Sequence, residues 1–158
     1  MLALTAGVDE AGRGALVGNV VAAAVILPAR FALPGLTDSK KLRARQREVL
    51  FDGITAQALA WCAAVASPAE IDALNIHHAT LLAMRRAVEG LATAPQQVLV
   101  DGKFTPALAM PARALVGGDA SEACIAAAPV EMAVSYSFKY LRRIITPLVS
   151  GIVVMLIG

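Results

Sequence analysis

Three apolar segments of this chain each run straight into a carboxylate, and no other feature constrains its fold as tightly. Residues 4–8 lead into Asp9-Glu10, residues 98–100 into Asp101, and residues 115–118 into Asp119. Short apolar runs bounded by turn-forming residues read as buried strands. Strands are expected over residues 4–9, 20–27, 58–66, 97–100 and 113–116. Ser67-Pro68-Ala69-Glu70 has the makings of a capping box with proline at the first helical position, so a helix starts there. A longer helix over residues 76–91 would turn Leu81, Met84 and Val88 inward, and a face of Leu42, Val49, Leu50 and Ile54 predicts another from Ser39 onward. Together these predict an α/β fold: a mixed five-stranded sheet with flanking helices.

Composition narrows the alternatives. With 158 residues the chain is sized for one domain, and 58% hydrophobic against 16% charged residues excludes disorder. Cys62 and Cys124 form no C-x-x-C pair, which excludes a disulfide scaffold and fits reduced thiols. The net charge of +2 is too mild to argue nucleic-acid binding by itself. Residues 1–128 are balanced, with 11 basic and 11 acidic side chains, while residues 129–158 set Lys139, Arg142 and Arg143 against Glu131 alone. Residues 144–158 are apolar apart from Thr146 and Ser150, a run of 15 where a bilayer span needs roughly 20. Residues 1–8 lack the basic opening of a signal peptide, so a cytoplasmic location is expected.

The acidic sites carry the chemistry. Singly, an acidic residue after a strand is a turn former or a helix cap. Jointly, if the strands are neighbours, Asp9, Glu10, Asp101 and Asp119 meet where strands end and ligands gather. Such a cluster repels itself unless cations neutralise it. Oxygen-only donors call for Mg²⁺ or Mn²⁺ rather than zinc. Two such ions about 4 Å apart would hydrolyse a phosphodiester. Gly12-Arg13-Gly14 lets backbone approach a ligand and aims Arg13 at a phosphate or sugar. It is no dinucleotide loop, because the third glycine, Gly18, falls one residue late and the acidic pair before it would repel a pyrophosphate; no nucleotide cofactor is expected. Asp38-Ser39-Lys40-Lys41-Leu42, followed by Arg43, Arg45 and Arg47, is either a solvated helix face or a phosphate-contacting patch. His77 and His78 adjoin at a helix start and suit no single metal, and Arg85-Arg86 is expected to face solvent.

Gly7-Val8-Asp9-Glu10-Ala11-Gly12-Arg13-Gly14, Asp38-Ser39-Lys40-Lys41-Leu42, Val100-Asp101-Gly102 and Gly118-Asp119, in that order, resemble the ribonuclease HII family over residues 4–128. The resemblance implies a ribonuclease H-like fold. It also implies an endonuclease that cuts on the 5′ side of ribonucleotides, in RNA–DNA hybrids or embedded in duplex DNA, leaving 3′-hydroxyl and 5′-phosphate ends. By motif, Asp9, Glu10, Asp101 and Asp119 match the family's catalytic, metal-binding carboxylates for two Mn²⁺ or Mg²⁺ ions. Gly12, Arg13 and Gly14 match the loop that reads the ribose 2′-hydroxyl, and Lys40 and Lys41 match the basic motif facing the substrate backbone. Ala15 and Lys103 depart from the family's common proline and asparagine. A monomer is expected.

From Pro129 the likeness stops, and residues 137–158 resemble a segment of a xanthine/uracil permease. The expected division is therefore a truncated catalytic domain at 1–128 and a foreign apolar tail at 129–158, with membrane contact only through the tail. Lost helices would expose sheet, and about 400 Å² of lost burial at roughly 25 cal/mol per Å² rivals a typical net stability. Two alternatives accompany the nuclease: an inactive or binding-only hybrid-duplex fragment, and a membrane-associated fusion fragment.

Overall fold

The computed structural model describes residues 3–11, 13, 18–32, 44–118 and 122–127. The elements are β1 (Thr5–Ala11), β2 (Val20–Ile26), α1 (Ala44–Gln57), β3 (Ala60–Ala66), α2 (Pro68–Glu89), β4 (Gln97–Asp101), β5 (Ala112–Leu115) and α3 (Ala123–Ala127). The expected mixed five-stranded sheet is present, in the order β3-β2-β1-β4-β5. β1, β2 and β3 pair antiparallel, whereas β4 and β5 continue the sheet parallel to β1. The carboxyl ends of β1, β4 and β5 consequently share one edge, the place where ligands collect in such sheets.

β2 is buried along its whole length, as its unbroken apolar run requires of a strand covered on both faces. Ala22, Ala24 and Ile26 face one core with Val8, Val98 and Val100, against Ala79, Ala83, Met84, Ala87 and Val88 of α2. Ala23 and Val25 face the other, with Ile54 of α1 and Ala127 of α3. Alanine dominates the α2 face, which leaves little side-chain volume between helix and sheet. That is how a chain with 4% aromatics still buries a core. Of the face predicted for the helix after Ser39, Leu50 and Ile54 are buried, but Val49 is exposed. A helix turns about 100° per residue, so Val49 beside Leu50 falls outside the buried stripe. Leu42 lies outside the described residues.

α2 begins with the predicted capping box. The Glu70 N–H donates to Ser67 Oγ at 3.3 Å and the Ser67 N–H donates to Glu70 Oε2 at 2.9 Å. The helix breaks at Asn75 (φ 68°, ψ 163°), and Asn75 Oδ1 accepts from the N–H groups of His77 and His78 at 3.0 and 3.1 Å. Asn75 thus caps a second helical segment, which explains why the sequence reads as two helices. Arg86 does not simply face solvent. It donates to both carboxylate oxygens of Glu70, at 2.6 and 3.1 Å, and to the Val65 carbonyl at 2.9 Å, tying the two segments together across the break.

Among the described residues no helix is long and apolar enough to cross a membrane. The permease-like residues 137–158 lie outside them.

Candidate active site

β1 sets the geometry. Asp9 pairs with Ala23 and Glu10 with Ala22, so the strand's pleat sends the two carboxylates to opposite faces of the sheet. Val8 pairs with Val100 across the parallel β1–β4 ladder and both are buried under α2. The next residue on each strand, Asp9 and Asp101, turns to the other face. Neighbouring strands therefore bring Asp9 and Asp101 together, and Glu10 adjoins them from across the edge.

Asp9 is buried, at 8% exposure. Its Oδ1 accepts the Glu10 N–H at 2.6 Å. Burial, and then the neighbouring charges of Glu10 and Asp101, push its carboxyl up to about 8 against the partial relief of that hydrogen bond. Glu10 Oε1 accepts from Arg13 Nη1 at 3.2 Å, with the Arg13 side chain half exposed. Asp101 Oδ1 accepts the Gly118 N–H at 2.9 Å, which closes the turn after β5 onto the end of β4. Gly117 supplies the positive φ (69°) that this turn requires.

The rear of β1 is held by backbone contact. A Cβ on Gly7 would collide with the main chain of Cys124 and Ile125 in α3, so only glycine lets that helix seat behind Asp9. The glycine that opens the family-like motif is a packing residue, a role its position in the motif does not reveal.

In front, Glu10, Arg13 and Asp101 line a cleft of about 70 Å³ with His77, Thr80 and Met84 of α2 and with Lys103 and Phe104 beyond β4. His77, Lys103 and Phe104 had no signal in the sequence that placed them here. Their arrival depends on the break at Asn75 and on the chain leaving β4 through Gly102 (φ 110°).

The predicted site is thus brought together in part. Asp9, Glu10, Arg13 and Asp101 adjoin one strand edge. Gly12, Gly14, Lys40, Lys41 and Asp119 lie outside the described residues. Among the described residues no group of three or more His, Cys, Asp or Glu side chains closes on one point.

Solved structures share the fold. The ribonuclease H2 of Pyrococcus horikoshii OT3 superposes with a TM-score of 0.74 at 24% identity, over 88% of this chain and 75% of that one. A Bst-RNase HIII in complex with Mn²⁺ superposes with a TM-score of 0.71 at 17% identity, over 91% of this chain and 56% of that one. The scaffold is that of the ribonuclease H-type nucleases.

The ribonuclease HII family model matches residues 6–136, and the chain belongs to that family. The ribonuclease HII of Dichelobacter nodosus is 60% identical over 127 residues, covering 80% of this chain and 67% of that protein. The chain spans about two thirds of the length of that relative.

Proposed function

We propose that this chain is a divalent-metal-dependent endoribonuclease that nicks nucleic-acid duplexes on the 5′ side of a ribonucleotide. The observation that carries the reading is that Asp9 and Asp101, each next after the Val8–Val100 pair on adjacent parallel strands, lie close enough to repel, with Glu10 and Arg13 beside them. Asp9 is a buried carboxylate whose proton affinity is raised by burial and by the like charges of Glu10 and Asp101. A group in that state is costly unless a cation answers it.

The donors fit a hard ion, since Asp9, Glu10 and Asp101 offer carboxylate oxygens only. Mn²⁺ or Mg²⁺, held by these three with Asp119, would activate water and stabilise the leaving oxygen. The chain's own residues do the rest. Arg13, half exposed and in a weak surface pair, can exchange Glu10 for a phosphate or a ribose hydroxyl. Gly12 and Gly14 flank it without side chains to obstruct that approach. Lys40 and Lys41, by their motif, would supply phosphate contacts to the duplex, and the catalytic unit spans residues 1–128.

The test is nicking of a DNA duplex carrying one ribonucleotide, with Mn²⁺ or Mg²⁺. The wild type should give 3′-hydroxyl and 5′-phosphate ends, and Asp101→Asn should abolish cleavage. Wild type and Asp101→Asn equally inert with both ions would overturn the reading.

A further inference from the structure

The cleft carries an aromatic ring for which the carboxylate chemistry has no use. Phe104 lines the cleft with Glu10, Arg13 and Asp101, yet it is 60% exposed. A scattered exposed phenylalanine needs no explanation, but one at the mouth of a charged cleft does. Its ring is not loose. The His77 ring meets it at a centroid distance of 4.7 Å and an interplanar angle of 75°, a T-shaped contact. The backbone that carries His77 is itself anchored, because its main-chain N–H is held by Asn75 Oδ1 at the start of the second segment of α2. A T-shaped pair covers at most one face of the phenyl ring, so a flat apolar face stays open to the cleft. Lys103, the preceding residue, brings a positive charge to the same cleft. An open ring face with a cation beside it, next to carboxylates suited to metal ions, matches a nucleoside within a polyanionic strand. Aromatic faces stack on nucleosides with little regard to base identity.

We propose that Phe104 is a stacking platform for one nucleoside ring of the bound strand, angled by His77, with Lys103 meeting the adjacent phosphate. The proposal rests on the nuclease reading and adds to it a positioning contact outside the carboxylate set. His77 acts through Phe104, whose ring it angles.

The experiment uses the full 158-residue chain carrying Asp101→Asn, so that a ribonucleotide-containing duplex is bound without turnover, and reads Kd by fluorescence anisotropy across a salt series. Adding Phe104→Ala should raise Kd about five- to a hundredfold, the range that loss of one stacking contact predicts. Phe104→Trp should restore it. Because the ring is exposed, the melting temperature should stay within about 2 °C of the parent. The slope of log Kd against log salt should be unchanged by Phe104→Ala, whereas Lys103→Ala should reduce it by about 1. In the chain with Asp101 intact, the loss from Phe104→Ala should fall on KM rather than kcat. Unchanged Kd for Phe104→Ala beside a parent that binds overturns the platform and leaves the nuclease reading standing. Failure of Phe104→Trp to recover what alanine loses also overturns it. A parent that binds no duplex, with a wild type that cuts none, overturns both.

Discussion

Asp9 and Glu70 are both carboxylates at the border of an apolar strand, and the molecule treats them in opposite ways. Glu70 sits at the surface with every oxygen matched. Arg86 grips it from the far segment of α2, the Ser67 N–H caps it, and together they hold its carboxyl down to about 2. Asp9 sits inside, with one backbone hydrogen bond against burial and two like charges, and its carboxyl rises to about 8. Polar groups that serve the fold tend to be satisfied, and those that serve chemistry are held where a ligand completes them. Along the same edge of the sheet, Glu70 after β3 is therefore locked while Asp9 on β1 is primed.

The sharpest way to break this contrast is to remove the charge from Asp9 and keep its shape. The Oδ1 of Asp9→Asn can still accept the Glu10 N–H. Cleavage should fall by roughly 10²–10³-fold, in the range seen when one preorganised electrostatic partner is lost. At pH 9 without divalent ions, the variant should melt higher than the wild type, because ionised Asp9 then costs stability. Loss of activity together with loss of stability would mean that Asp9 is a structural carboxylate like Glu70.

A smaller effect tests what keeps Asp9 buried. Gly7→Ala forces α3 off the back of β1, and overpacking of this kind costs about 1–3 kcal/mol or more. Urea unfolding should register it as a lower midpoint. In that background Asp9→Asn should stabilise less, since the carboxylate regains water once α3 moves. Additive effects in the double variant would separate the burial of Asp9 from the seating of α3.

How much of this could be read beforehand differs between the two regions for a physical reason. The capping box was legible because it is local, with Ser67, Pro68 and Glu70 recognising one another within four residues. The strands were legible because their apolar runs are continuous and end in turn formers. The neighbourhood of Asp9 and Asp101 was legible as chemistry, though it depended on two parallel strands lying side by side, which no local pattern dictates. Period-two alternation along β1 is legible in the sequence, but the register that sets Asp101 beside Asp9 appears only in the folded sheet. Arg86 is exposed as expected, but its grip on Glu70 was not legible because that partner lies 16 residues away across a helix break. Gly7 was read as part of a motif and turned out to be the seat of α3, and Phe104 reached the cleft with no periodic signal at all.

The gentlest test is the pH profile of stability without divalent ions, where the two carboxylates should act with opposite sign. For Glu70 the folded state holds its carboxyl at about 2, below its ordinary value of 4.5. The unfolded chain therefore takes up the proton first, and stability drains away as pH falls from about 4.5 towards 2. For Asp9 the folded state holds its carboxyl at about 8, above its ordinary value of 3.8. Here the folded chain keeps the proton that the unfolded chain releases, so stability declines as pH rises from about 4 to 8 and levels off beyond. Subtracting the profile of Glu70→Gln from that of wild type should isolate the acid limb, weakened by salt because the pair is at the surface. Subtracting that of Asp9→Asn should isolate the neutral limb, little altered by salt because the group is buried. If the neutral limb survives in Asp9→Asn, the raised proton affinity belongs to another group, and the priming of this end of the sheet has a different source.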